Sequence, residues 1–322
     1  MKAWWRLRRA AVEAAPLLVS GDYRLDGDTA RRFEGRGGVA GWLPDPRRVH
    51  VASSAGGMAV HDTLIRRSDC LILLAADRGH VTRLYRDPAK VERLVANSRW
   101  LRPVFPCPAA EPVATGLPGW YGVREGFVVG RILCDAEPEQ WAPTYRAFLR
   151  CCAENARRCE GRLDPSPWLA ELDGWTGSGS VGTVLARRRD ELAEVLDSAP
   201  LLRSHGDAHN GNLMVTDRGE LAVIDVERVE AQPFFFDALS IPRGSEAVNR
   251  TLRRDYLAGA FDDDLAAVWQ AAGQSFRPEL RAAYLLAVAV AHAFRPQFAD
   301  GPAERRREKL SRAVEKFAHD IL

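Results

Sequence analysis

A chain of 322 residues is long enough for one large domain or two lobes, each burying a sizeable core. Its 46% hydrophobic and 27% charged residues are those of an ordinary globular protein, and a formal net charge of +2 creates no field that would gather nucleic acid or an anionic membrane. Arginine carries nearly all the basic charge, the only lysines being Lys2, Lys90, Lys309 and Lys316.

The first residues, MKAWWRLRRAAVEAAPLLVSGD, read as an amphipathic helix rather than a leader, because Glu13 interrupts the apolar stretch and no small-residue cleavage pattern follows. With the Gly, Asp and Arg-rich stretch behind it, this makes residues 1–45 an N-terminal helix and extension. From Arg48 the pattern turns strand-like. RVHVASS and AVHDTLI flank a turn at AGG, CLILLAAD follows, and the turn at Arg78 and Gly79 leads into HVTRLYRD.

Asp87 before Pro88 has the signature of a helix start, and Val91, Leu94, Val95 and Leu101 recur behind it at helical spacing. A Pro-rich segment and a strand pair ending in GFVVGRIL complete a first lobe over residues 46–134. Residues 135–322 are mostly helical, and one β-hairpin, LMV-TDRG-ELAVID, is set among the helices. The run Asp262, Asp263 and Asp264 caps the helix that begins DDLAAVW. Trp168, Trp175 and Trp269 read as core, and AERRREKLSR as a solvated helix face.

Two further features bear on the chain's surroundings. The longest apolar run, Ala282 to Phe294, is shorter than the ~20 helical residues that span a bilayer. The six cysteines, Cys70, Cys107, Cys134, Cys151, Cys152 and Cys159, show no CxxC spacing and read as reduced thiols in a cytoplasmic protein.

The chemistry lies in SHGDAHNGNLMVTDRGELAVIDVE, Ser204 to Glu227. A hairpin returns its ends to the same side of a ladder, so Asn212, before the first strand, and Asp225, after the second, are brought together. An amide oxygen and a carboxylate so placed suit Mg²⁺, which prefers hard oxygen ligands and is shared with substrate phosphates. Asp207, five residues before Asn212, stands where a base can reach a substrate hydroxyl. A competing reading takes His205, Asp207 and His209 as an HxDxH zinc cluster of a metal-dependent hydrolase, which leaves Asn212 and the Asp225 strand without a role.

HGDAHNGN followed by IDVE resembles the catalytic and metal-binding loops of the protein-kinase-like fold. It is most similar to the HGDxHxxN…IDxE pattern of the aminoglycoside phosphotransferase and choline kinase family. The resemblance implies a two-lobed α+β fold, with a small antiparallel β N-lobe and a larger, mainly α-helical C-lobe that carries the catalytic hairpin. It also implies transfer of the γ-phosphoryl group of ATP or GTP, with Mg²⁺, to a hydroxyl of a small metabolite or antibiotic. Neither nucleic acid nor membrane is implied as a partner.

Carried over by position, Asp207 becomes the residue that accepts or orients the hydroxyl proton, and Asn212 and Asp225 become the metal ligands. His205 and His209 support the loop, Asp237 is structural, and Glu227 faces substrate or metal; in the acceptor pocket that the resemblance implies, Glu227 and Glu230 are the acidic residues suited to a cationic acceptor. The hinge strand places the backbone of Val129, Gly130, Arg131 and Ile132 against the nucleotide base. The loop at Ser54, Gly56 and Gly57 either approaches phosphate with its backbone N–H groups or is a simple hairpin turn.

The sequence departs from the family in one respect: no predicted strand carries the lysine that holds the α and β phosphates. Arg83 stands in its place, with Arg86 as the weaker candidate, and Arg83 is otherwise a solvated strand arginine. The following helix offers Glu92 as its carboxylate, with Asn97 nearer the expected position. A non-catalytic kinase-like protein that binds nucleotide or a partner is the alternative this substitution raises.

Overall fold

The computed structural model describes residues 3–32, 48–51, 60–75, 77–175, 179–197, 199–295 and 301–321. They form two compact units, one of Met1–Arg102 with Pro108–Val128 and one of Pro103–Cys107 with Val129–Leu322.

The first unit is built on an eight-stranded antiparallel sheet in the order β3-β1-β2-β4-β5-β6-β8-β7. Its strands are β1 (Gly21–Asp26), β2 (Thr29–Arg32), β3 (Arg48–Val51), β4 (His61–Arg66), β5 (Cys70–Ala75), β6 (His80–Tyr85), β7 (Ala110–Val113) and β8 (Tyr121–Gly126). Helix α1 (Ala3–Glu13) lays Leu7, Ala10 and Ala11 on Tyr23, Leu25, Ala30, Val49 and Leu64 of the sheet. Each large apolar side chain fully buried this way contributes about 1.5–3 kcal/mol. Helix α2 (Pro88–Leu101) follows β6, with the Asp87 carboxylate accepting the Ala89 N–H at 3.0 Å as the sequence predicts.

Two expectations for this unit are corrected. Within the segment expected to be an N-terminal extension, residues 1–45, β1 and β2 are interior strands of the sheet. Tyr23 and Leu25 point into the core while Asp22, Arg24 and Asp26 face out, a two-residue alternation partly hidden by the charge of the outer face. The strands RVHVASS and AVHDTLI also do not form a hairpin. β3 pairs with β1, and β4 pairs with β2 and β5, because the β1–β2 hairpin lies between them. The proposed phosphate loop with Ser54, Gly56 and Gly57 lies outside the described residues.

The strand expected to run through GFVVGRIL is two strands. β8 ends at Gly126, and β9 (Gly130–Ile132) belongs to a separate three-stranded sheet with β11 (Leu213–Thr216) and β12 (Leu221–Val223). Gly130 makes the β9 pairing possible, because a Cβ there would lie 2.3 Å from the carbonyl oxygen of Val215.

The second unit is otherwise helical. It contains α3 (Pro138–Ala156), α4 (Ser166–Asp173), α5 (Gly179–Leu196), α6 (Phe236–Ser240), α7 (Ala247–Leu257), α8 (Asp262–Ala271), α9 (Arg281–Ala293), α10 (Ala303–Val314) and α11 (Ala318–Ile321). The α9 segment from Ala283 to Val290 is buried throughout and packs on α5, α6 and α10, which accounts for the apolar run of the sequence. Among the described residues no helix is long and apolar enough to cross a membrane. Tyr145 of α3 donates its hydroxyl to the Ala238 carbonyl at 2.6 Å and fixes α6. Asp262, Asp263 and Asp264 lie in the first turn of α8 behind the N-cap Phe261, without a side-chain cap bond, and two of them bind arginines: Asp264 takes Arg146 and Asp262 takes Arg281. Trp175 and Trp269 are buried, as expected for core residues.

Candidate active site

The site is assembled in the second unit, where β10 (Leu201–Ser204) pairs antiparallel with β13 (Glu230–Pro233), Ser204 opposite Glu230. Leaving β10, the chain turns sharply at Gly206, whose φ of 76° lies in the left-handed region. A Cβ at this position would lie 2.2 Å from the carbonyl oxygen of Arg228, so the HGD segment requires glycine there.

Asp237, 3% exposed in α6, holds this turn from below. Its Oδ2 accepts the His205 N–H at 2.6 Å and its Oδ1 the Gly206 N–H at 3.0 Å. Burial pushes its carboxyl above the usual range, against the opposing pull of His205 and these two donors. The His205 ring is buried, with Nε2 3.0 Å from the Ile224 carbonyl and Nδ1 accepting the Asp207 N–H at 3.3 Å. Both of its nitrogens are thus engaged by the backbone. His209 is exposed and its Nδ1 accepts the Gly211 N–H at 3.0 Å. The histidines therefore stiffen the loop, and among the described residues no three His, Cys, Asp or Glu side chains form a metal cluster.

Asn212 ties the two halves of the motif together. Its Nδ2 donates to the Asp207 carbonyl at 2.9 Å, and its own carbonyl accepts the Ile224 N–H at 2.9 Å, next to Asp225. The hairpin ladder of Leu213↔Val223, Met214↔Ala222 and Val215↔Leu221 runs away from this junction, as the two short apolar strands of the sequence suggest. Asp225 adopts φ 64° and ψ 56°, one of two non-glycine residues with positive φ among those described. Such a conformation is uncommon and concentrates at functional sites. With Nδ2 of Asn212 committed to the backbone, its Oδ1 and the Asp225 carboxylate are hard-oxygen groups of the kind that would suit Mg²⁺.

The Asp207 carboxylate is partly exposed and lies 3.6 Å from Nη1 of Arg228. Glu227 is half-buried in the turn after Asp225. Glu230, expected to face the acceptor, lies 3.0 Å from Nε of the buried Arg295, and its carboxyl is pushed up chiefly by burial, with Arg295 opposing. Several residues that shape this site escaped the sequence reading. Asn210 binds Glu246 at 2.7 Å and Asn249 at 3.4 Å, anchoring the loop to α7. Arg228 and Arg295 are the others, and only the strand pairing of Glu230 with Ser204 points to them.

Arg83 belongs to the first unit. Its Nε lies 2.7 Å from Oε2 of Glu125 on the neighbouring strand β8, and both side chains are largely buried. The expected helix partner Glu92 is exposed, so the counter-charge comes from a strand rather than from α2. Arg86 stacks its guanidinium 3.9 Å from the Trp120 ring and pairs with Glu13. Arg131 pairs with Glu137 at 3.1 Å, and Val129 is exposed just before β9.

A family model described as the phosphotransferase enzyme family APH matches residues 73–273, and the chain belongs to that family. No curated protein matches the sequence. Among solved structures, a thermostable mutant of aminoglycoside phosphotransferase APH(4)-Ia, in ternary complex with AMP-PNP and hygromycin B, is 16% identical, with a TM-score of 0.50 over 79% of this chain and 92% of that one. Aminoglycoside phosphotransferase APH(3'')-Id from Streptomyces rimosus ATCC10970 is 14% identical, with a TM-score of 0.45 over 71% of this chain and 92% of that one. A choline/ethanolamine kinase family protein from Mesorhizobium loti is 13% identical, with a TM-score of 0.44 over 79% and 87%. The fold is protein-kinase-like, with an antiparallel-sheet N-lobe and a helical C-lobe, and the class is phosphotransferase.

Proposed function

We propose that the chain moves the γ-phosphoryl group of ATP or GTP to a hydroxyl group of a small molecule, with Asp207 as the base. The observation that carries this reading is the pair of hydrogen bonds made by Asn212, which fastens the Asp207 loop to the Ile224–Asp225 end of the hairpin. Base and cation ligands thereby share one edge of a rigid ladder, the positioning that phosphoryl transfer chiefly demands of a protein.

In the reaction the acceptor oxygen forms a bond to the γ-phosphorus while the bond to the bridging oxygen breaks. The nucleoside diphosphate leaves and the hydroxyl proton passes to an Oδ of Asp207. Arg228 at 3.6 Å restrains that carboxylate. Mg²⁺, held by Asp225 and the Oδ1 of Asn212, would supply neutralisation of the phosphate oxygens. The backbone of Val129, Gly130, Arg131 and Ile132 is assigned to the nucleotide base, and Arg83 to phosphate by way of its charge.

The test is a mass-shift screen of hydroxylated metabolites and antibiotics with ATP and GTP, seeking one added phosphate. Asp207→Ala is expected to lower transfer by about 10²–10⁴-fold, the usual share of general base catalysis, while nucleotide still binds. Unchanged turnover in that variant would exclude Asp207 as the base.

A further inference from the structure

The surroundings of Asp207 are basic. Arg228 lies 3.6 Å from Asp207, and Arg295, 1% exposed, reaches Glu230 at 3.0 Å, opposite Ser204 in the strand pair that launches the catalytic loop. Two of the carboxylates nearby are already engaged. Asp237 is spent on the His205 and Gly206 amides, and Glu230 on Arg295.

Arg243, in the turn after α6, makes no ion pair with a carboxylate among the described residues. Its Nε is buried without a hydrogen bond among the described residues, as is Nη1 of Arg295. Burial lowers Arg243 to about 10, with Arg295 adding to the depression and Asp207 opposing it, so both groups lie within its electrostatic reach. Lys309 of α10 is held below the usual lysine range by burial first, then by neighbouring arginines that include Arg295 and Arg228. His292 at the end of α9 is pushed down to about 2 by burial first, then by Arg243, Arg295, Lys309 and Lys316, so it stays neutral and adds no positive charge.

Buried guanidinium N–H groups without acceptors are costly, and the ligands that satisfy them are oxyanions, which match the guanidinium fork. An ammonium-bearing acceptor would instead meet Arg228, Arg243 and Arg295 as like charges. We infer that the acceptor alcohol is an anion, carrying a carboxylate or phosphate group that Arg243 and Arg228 bind beside Asp207, and not a polycationic aminoglycoside. This inference rests on the phosphotransfer reading above for the role of the alcohol, and on Arg228, Arg243 and Arg295 for its charge.

The test uses four probes that share one carbon skeleton: glycerol, glycerate, glycerol phosphate and aminopropanediol. Their binding to the full chain is measured at low ionic strength by ligand-observed NMR, without nucleotide. Glycerate or glycerol phosphate is expected to bind at least about tenfold more tightly than aminopropanediol, and the stronger of the two identifies carboxylate or phosphate as the recognised group. That preference is expected to shrink in both Arg243→Gln and Arg228→Gln, with circular dichroism confirming that each variant is folded.

The inference is overturned if the amine binds as tightly as either anion, if the four probes are not distinguished, or if both variants keep the wild-type preference. Anion binding that survives while no acceptor is phosphorylated in the mass-shift screen would remove the kinase reading and leave the basic pocket standing.

Discussion

Asp237 accepts the backbone N–H of His205 at 2.6 Å across 32 residues of sequence, and with its bond to the Gly206 N–H this holds the HGD loop where it leaves β10. Asp237→Ala strands this donor and the Gly206 N–H in a buried setting. The expected loss of stability is about 2–4 kcal/mol by urea unfolding, from two unsatisfied donors. Asp237→Asn, which keeps one carbonyl oxygen, is expected to recover part of it. Equal stability of Asp237→Ala and the parent would show that the loop is held by other contacts.

Gly206→Ala tests the turn itself. The added methyl meets the Arg228 carbonyl and the backbone stays at positive φ, where an L-residue costs roughly 1–2 kcal/mol before any clash. Loss of phosphoryl transfer should exceed loss of stability, because the methyl displaces the Arg228 segment away from Asp207. Comparing kcat with the denaturation midpoint separates the two effects.

Arg83 and Glu125 form a double-mutant cycle. Removing one partner of a largely buried pair leaves the other uncompensated, so Arg83→Met or Glu125→Leu is expected to cost about 3 kcal/mol or more. The double substitution is expected to return close to parental stability. If phosphate is also gripped by Arg83, nucleotide affinity stays lost in the stable double variant. Nucleotide affinity restored there would remove Arg83 from the site.

Asp225→Asn and Asn212→Ala are expected to raise the Mg²⁺ concentration for half-maximal transfer by about tenfold or more, since replacing even outer-shell groups costs that much. A magnesium titration of initial rate at saturating nucleotide reads this directly. Unshifted titrations in both variants would place the cation elsewhere.

The buried imidazole of His292 sets a pH dependence. Unfolded, a histidine takes up its proton near pH 6.5, whereas His292 in the folded chain resists protonation down to about 2. Stability is therefore fully present above pH 6.5 and falls below it, by up to about 1.4 kcal/mol per pH unit from this group. His292→Leu is expected to flatten the decline of unfolding free energy between about pH 6.5 and 5, provided denaturant midpoints are compared at constant ionic strength. A slope equal to the parent's would show that His292 does not drive it.

The hairpin of β11 and β12 was legible because its signal is local: residue identities, spacing, a turn and two short apolar strands agree within 24 residues, Ser204 to Glu227. The α2 start at Asp87 was legible for the same reason. What escaped depends on distant pairings. Nothing near Glu230 announces Arg295, and nothing near Arg83 announces Glu125, since both partners are fixed by strand register and helix packing. β1 and β2 did carry a two-residue alternation, but Arg24, Arg31 and Arg32 made the segment look like a charged tail. The break between β8 and β9 was written only as Gly130, whose need for close approach to β11 is a tertiary fact.

The strand origin of Arg83's counter-charge has a consequence for control. Protein kinases are switched by swinging a helix that carries the glutamate partner of their strand lysine, so the ion pair breaks when the helix moves. Here the pair bridges β6 and β8, whose main chains are hydrogen-bonded from His80↔Gly126 to Tyr85↔Tyr121. A pair carried in this way is held by the strand ladder itself, and not by a glutamate on a helix.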